Sequence, residues 1–439
     1  MQHCDLLIKA EWCVPVEGPQ AILENHAVAV SDGRIVAVLP AADADREFQP
    51  SRTVERPGHV LIPGLINTHT HAAMTLFRGY GDDMALEPWL TERIWPAEKR
   101  WLGPEFVRDG TALAIAEMLL GGVTCFADQY FFPEIVANTA VDLHMRAVVG
   151  TPVLDFETEW ARDAREYLQK SADLVHDPYA DHPLITSAFA PHSTAALGDD
   201  DFVELRVMAD QLDIPIQIHL HETEKEIENA LAATGMRPAE RLAGLGLVNR
   251  SLLAVHAVHL SDDEVQLFAD AGVSIAHCPR SNLKLASGIA PVAHYDKAGV
   301  NVAIGTDGAA SNNVLDMLLE MQTASLLAKA ASRDAQALSA LDSLSMATLG
   351  GARALGLEQV TGSITDGKWA DLACVDLRSI NSQPAYDPVS NLVYAANSSQ
   401  VADVWVAGRQ QVENGRLTDI DVEDIAGRAN EWSRQIQAH

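Results

Sequence analysis

Short apolar runs alternate with amphipathic stretches through the middle of the chain, between residues 58 and 360. Eight of the runs read as strands: Val60–Ile66, Val123–Ala127, Ala147–Gly150, Leu184–Ala190, Pro215–Ile218, Leu252–Val255, Val273–Ala276 and Val302–Ile304. Helical patterns such as Gly110–Leu120 and Phe202–Gln211 separate them. Eight strands alternating with helices predict an α/β fold built as a (β/α)8 TIM-like barrel. The ends of the chain follow a different rhythm. Ala27–Val30 and Ile35–Val38 flank an Asp32-Gly33 turn, a hairpin signal. Leu372–Val375 and Val404–Val406 repeat that style near the C-terminus. The expected organisation is a small β-sandwich domain from residues 1–57 and 361–420, a barrel over 58–360 and a tail helix over 421–439.

Polar residues gather where these strands end. His69 and His71, Asp128, His192, His219, His256, His277 and Asp307 each close a candidate strand. Strand C-termini of a barrel open onto one face, the face on which active sites are built. Sixteen histidines placed at random would rarely fall this way. His69 and His71, two apart on a strand, share a face and can aim two imidazoles at one point. Converging imidazoles begin a transition-metal site. His219 and His221 repeat the spacing, which alone does not say which of them is the further ligand.

Acidic residues outnumber basic ones by 61 to 31, for a net charge of −30. Nucleic acid and anionic membrane both call for a basic face, so neither is an expected partner. No apolar stretch reaches the roughly twenty residues of a membrane span. The start, Met1-Gln2-His3-Cys4-Asp5, has no basic region followed by an apolar core, and the five cysteines are scattered. A cytoplasmic location, a small-molecule substrate and a homo-oligomer are expected.

Three segments carry a family resemblance: Pro63-Gly64-Leu65-Ile66-Asn67-Thr68-His69-Thr70-His71, His219-Leu220-His221-Glu222-Thr223, and Gly305-Thr306-Asp307-Gly308-Ala309-Ala310-Ser311-Asn312-Asn313. Together they resemble the amidohydrolase superfamily. With His71–Gly79, Trp89, Trp95, Glu98 and His277–Leu285 they are similar to its methylthioadenosine/S-adenosylhomocysteine deaminase branch. The resemblance implies metal ligands at His69, His71, His219 and Asp307, and leaves His221 structural. Relatives with two metals bridge them through a lysine after the fourth strand, where this chain reads Ala190-Pro191-His192. One divalent metal is therefore expected. Nitrogen-rich ligation suits zinc or iron, with zinc preferred.

A bound metal lowers the pKa of water to about 7, making a nucleophile available near neutral pH. The resemblance implies that Glu222 protonates a ring nitrogen, that Asp307 handles the proton of the attacking water and that His256 orients it. By itself Glu222 also reads as a helix-start carboxylate, and His259 reads as structural. For the substrate, Glu98 is implied to accept from the ribose hydroxyls and His192 to reach the ribose or purine. Trp89 stands as a wall of the nucleoside site or a core aromatic. Arg162 stands as a contact to an amino-acid tail or a surface arginine. Gly150-Thr151-Pro152 replaces the arginine some relatives use for that tail, which tilts the substrate toward methylthioadenosine over S-adenosylhomocysteine or adenosine. The implied reaction is hydrolytic deamination of an adenine ring, within purine and methionine salvage. The rivals are a guanine, cytosine or s-triazine aminohydrolase on the same fold, or a non-enzymatic binding barrel.

Overall fold

The computed structural model describes residues 1–18 and 20–438; Pro19 and His439 lie outside the described residues. Four strands open the chain: β1 (Gln2–Cys13), β2 (Leu23–Ser31), β3 (Arg34–Pro40) and the long β4 (Phe48–Pro63). Eight follow in the middle: β5 (Leu65–Thr70), β6 (Val123–Gln129), β7 (Arg146–Val153), β8 (Ile185–Pro191), β9 (Ile216–Leu220), β10 (Leu252–His256), β11 (Ser274–His277) and β12 (Asn301–Ile304). Four more come near the end: β13 (Leu372–Asp376), β14 (Val401–Val406), β15 (Arg409–Glu413) and β16 (Arg416–Leu417). A helix, Val422–Gln437, follows them.

Strands β5 to β12 form one sheet in chain order, parallel throughout. All their residues but Thr186 of β8 and Asn301 of β12 are buried, as expected for parallel strands with helices outside and a packed interior. Side chains close the barrel between its first and last strands. Thr68 Oγ1 donates to the Ile304 carbonyl at 2.9 Å, Asn67 and Thr306 bond to each other, and the Asp307 amide donates to the His69 carbonyl at 3.0 Å. Ile66, Cys125, Ala127, Val148, Ala188, Leu253 and Val255 fill the interior, and Ala352, Leu355 and Leu357 cover its lower end.

The terminal strands make a mixed sheet ordered β16-β15-β14-β13-β4-β1-β2-β3. Its core includes Ile8, Val28 and Ile35 from one half and Leu372, Cys374 and Trp405 from the other, so the sheet folds over on itself as a sandwich. The apolar run Val60–Ile66 does not form one barrel strand as expected. It divides at Gly64: Val60–Pro63 pair with β13, and Leu65 starts the barrel. A Cβ at Gly64 would lie 2.0 Å from Thr124 Oγ1, so only glycine fits where the two sheets meet.

Arg146 and Asp371 tie the barrel to the terminal sheet. The guanidinium donates to Asp371 at 2.8 Å, and both side chains are buried. Asp371 also accepts from the Ala407 amide, and its own carbonyl accepts from the Gly64 amide. Removing one partner of a buried ion pair strands the other charge, at a cost of about 3–5 kcal/mol. Arg146→Ala should therefore lower the unfolding free energy by about that amount in a denaturant titration. A loss below about 1 kcal/mol would show that the pair does not hold the two sheets together.

Candidate active site

A regular β5 would point His69 and His71 away from the barrel interior that Ile66 occupies. The strand avoids this with a bulge. Asn67 pairs with Phe126 and Thr70 with Asp128, so three steps on β5 span two on β6. The extra residue shifts the alternation, and both imidazoles turn inward. β9 supplies His219, and Asp307 follows β12 at φ 62°.

Four ligand atoms, one each from His69, His71, His219 and Asp307, lie within 4.8 Å of one another. His69 Nε2 is 3.1 Å from His219 Nε2 and 3.6 Å from Asp307 Oδ1, and His71 Nε2 is 3.3 Å from that same oxygen. The outward nitrogens are held. His71 Nδ1 donates to the Gln129 carbonyl at 2.6 Å, and His219 Nδ1 donates to the His192 carbonyl at 2.7 Å. Those bonds place each proton on Nδ1 and leave the Nε2 lone pairs facing inward. Asp307 Oδ2 accepts from Ser281 Oγ at 2.6 Å and Ser311 Oγ at 2.8 Å, which turns Oδ1 toward the imidazoles. Burial pushes His69 down to about 4 and His219 well below its ordinary value, so these rings are neutral. Three imidazoles and a carboxylate converging on one point fit a divalent cation.

His221 takes no part, although its spacing matches His71. At φ 54° the chain turns out of the strand there, and the ring accepts from the Ala239 amide at 3.1 Å beside Glu264. Two other strand-end residues are also absent from the cavity wall. Asp128 accepts from Thr70 Oγ1 and the Ala72 amide, bracing the turn after β5. His277 is buried on β11, between the inward-facing Ala276 and Cys278.

The ligand cluster opens into a cavity of about 1090 Å³. Glu222, His256 and His192 line it near the cluster, and Glu98, Trp89 and Arg162 line it elsewhere. Glu222 sits on the turn before the helix Glu224–Thr234, which Thr223 caps. Glu222 Oε2 is 3.9 Å from His256 Nε2. His256 lies at φ 70°, and its Nδ1 bonds to Asn282 Oδ1 at 2.9 Å. Non-glycine residues in this region cost on the order of 1–3 kcal/mol each and concentrate where function requires them. Tyr130 Oη donates to Glu98 Oε1 at 2.7 Å. Burial pushes the Glu98 carboxyl up to about 7, against the pull of that hydroxyl. Burial and the nearby His71 push His192 down to about 4. Trp89 is buried against the cavity, whereas the Arg162 side chain is 74% exposed at its rim and paired with Glu166. Tyr130, Ser281, Asn282 and Ser311 are supporting residues that the sequence reading did not single out. Three of them lie inside the quoted motifs, and Tyr130 directly follows β6.

A model of the amidohydrolase family matches residues 60–411. The chain belongs to the amidohydrolase family. It is 45% identical over 434 residues to a 5-methylthioadenosine/S-adenosylhomocysteine deaminase of Teredinibacter turnerae, covering 99% of this chain and 98% of that protein. The crystal structure of an adenosine deaminase from Xanthomonas campestris with bound zinc superposes with a TM-score of 0.98 at 50% identity, covering all of both chains. A zinc complex of atrazine chlorohydrolase from Arthrobacter aurescens superposes with a TM-score of 0.91 at 27% identity, over 98% of this chain and all of that one. Amidohydrolases of this shape thus act on different rings, and the barrel alone does not choose the substrate.

The helix Met317–Ser332 carries the fully buried Glu320. Glu320 accepts from Asn312 Nδ2 at 2.7 Å and from the Arg280 amide at 3.2 Å, and burial pushes it up to about 8. A carboxyl raised this way holds its proton more tightly in the folded state than in the unfolded state. The stability it contributes is full below its ordinary pKa and is lost as pH rises through 8. Glu320→Gln stays neutral and should escape that loss. Its melting temperature relative to wild type should rise between pH 5 and pH 9. A difference that does not change with pH would contradict a buried, protonated Glu320.

Proposed function

We propose that the protein hydrolytically deaminates the adenine ring of 5′-methylthioadenosine, with S-adenosylhomocysteine and adenosine as further substrates. One observation carries the reading. A single cavity joins the four-ligand cluster, with Glu222 and His256 beside it, to the Glu98–Tyr130 pair on its wall. The first set suits attack on a ring carbon, and the second suits a ribose diol. Full-length similarity at 45% identity to a deaminase named for these nucleosides supports it.

His69, His71, His219 and Asp307 would hold one divalent cation, zinc ahead of iron, since three imidazoles and a carboxylate suit both. When bound, the cation supplies Lewis acidity that brings water within reach of deprotonation near neutral pH. The chain's own groups do the rest. His256, its Nδ1 engaged by Asn282, presents Nε2 toward the attacking water. Glu222 gives a proton to purine N1 as water adds at C6, so the ring nitrogen rather than a bare anion takes up the electron pair. Asp307 accepts a proton from the water and returns it to the amino group, which leaves as ammonia. As the amine leaves, the hydroxyl at C6 gives its remaining proton back to Glu222, and the ring is left as the 6-oxo, N1-protonated product. Glu98 would accept from the 2′ and 3′ hydroxyls, and neutral His192 can both donate to and accept from the nucleoside. Trp89 would wall the base or sugar, and Arg162 would meet the outer end of a long 5′ substituent.

The test is an ultraviolet assay of zinc-loaded protein on methylthioadenosine, S-adenosylhomocysteine, adenosine, adenine, guanine, cytosine and an s-triazine. Methylthioadenosine should turn over best. Glu222→Gln should lower kcat by about 10²- to 10⁴-fold. Preferred turnover of a free base or triazine would overturn the substrate assignment.

Glu98→Gln should raise KM for ribosides by about tenfold or more, the loss of one charge-assisted hydrogen bond or two. It should act less on a 2′-deoxy substrate, and equal effects on both would remove Glu98 from the ribose.

A further inference from the structure

Glu222 reaches the cavity from a turn, yet neither its backbone nor its carboxyl is free. The Glu222 amide donates to Glu226 Oε2 at 2.8 Å, and the His221 amide donates to Glu226 Oε1 at 3.1 Å. That fixes where the side chain starts. Its far end is held from a different part of the chain, where Ser287 Oγ donates to Glu222 Oε1 at 3.1 Å.

The loop presenting Ser287 is built for the purpose. Ser287 is only 6% exposed, and the residues on either side of it take left-handed conformations, Ala286 at φ 55° and Gly288 at φ 129°. A Cβ on Gly288 would lie 2.9 Å from Val258 Cγ1 and 3.3 Å from the His259 ring, so the loop is pressed against the segment after β10. His259 Nε2 donates to the Ser287 carbonyl at 2.7 Å, and the Ser287 amide donates to the Asn282 carbonyl at 2.8 Å. An alanine in an unfavourable conformation and a tightly packed glycine keep this one hydroxyl against one carboxylate oxygen.

We propose that Ser287 is a positioning residue that selects which oxygen of Glu222 carries the transferable proton. A hydroxyl donates to an oxygen without a proton, so Oε1 is the acceptor. The proton of the acid form then sits on Oε2, the oxygen 3.9 Å from His256 Nε2. The terminal torsion of a glutamate is broad and two-fold, so without this bond the carboxyl turns over and offers the wrong oxygen. His259 acts one step further back, by holding Ser287. The inference rests on the acid role given to Glu222.

The experiment compares Ser287→Ala with wild type in zinc-loaded protein, in both the native and the Glu222→Gln backgrounds. In the native background kcat should fall about 10- to 100-fold, the cost of a misplaced catalytic group, with KM changed less than about threefold. In the Glu222→Gln background, read at high enzyme concentration, Ser287→Ala should cost nothing further. Ser287→Thr keeps the hydroxyl and should recover most of kcat, which separates loss of the bond from loss of the fold. An unchanged kcat, a loss carried by KM, or an equal loss in both backgrounds would overturn the proposal. A wild-type protein that deaminates no nucleoside would instead remove the acid role of Glu222 itself.

Discussion

Four electron-pair donors brought face to face, out of water, are the constraint around which this molecule is arranged. His69 Nε2 and His219 Nε2 are 3.1 Å apart, and Asp307 Oδ1 is within 3.6 Å of two imidazole nitrogens. Imidazole lone pairs turned together repel each other unless a cation sits among them. The protein nevertheless fixes them that way, through carbonyls that take the outward protons of His71 and His219 and serine hydroxyls that take the far oxygen of Asp307. A cation binding there replaces repulsion with coordination, so its binding energy also acts on folding.

Backbone distortion sets the aim. A bulge in β5 turns two histidines inward, and left-handed residues place His256 and Asp307 at the ends of their strands. Such conformations survive only where the surroundings over-determine them. The surroundings here are a barrel closed by the Asn67–Thr306 and Thr68–Ile304 bonds and joined to the terminal sheet by Arg146 and Asp371. Strands carry His69, His219 and His256, with His71 and Asp307 just beyond strand ends, while much of the remaining cavity wall comes from turns and short helices, where different amidohydrolases can differ.

Apolar runs between helical stretches were enough to place seven of the eight barrel strands, because parallel strands are buried on both sides and leave an unbroken hydrophobic signature. The boundary at Gly64 was hidden, because a strand of one sheet runs into a strand of the other without a polar break. The histidine pairs show the same limit. His69/His71 and His219/His221 look alike in sequence and differ only in a backbone angle that turns His221 away. Asp128 and His277 lie at strand ends as His69 and His219 do, but their side chains lie outside the cavity, a fact that depends on register rather than on position. Tyr130 and Ser287 carry no spacing signal, since each matters through a neighbour that only the fold supplies.

The four-residue cluster is shaped to hold one cation, and the deamination proposed above depends on it. Zinc titrated into chelator-stripped protein, with calorimetric heat and the deamination rate followed together, tests it most directly. Binding should saturate at one equivalent, with the rate recovering in proportion. Saturation at two equivalents, or a rate indifferent to added metal, would contradict it.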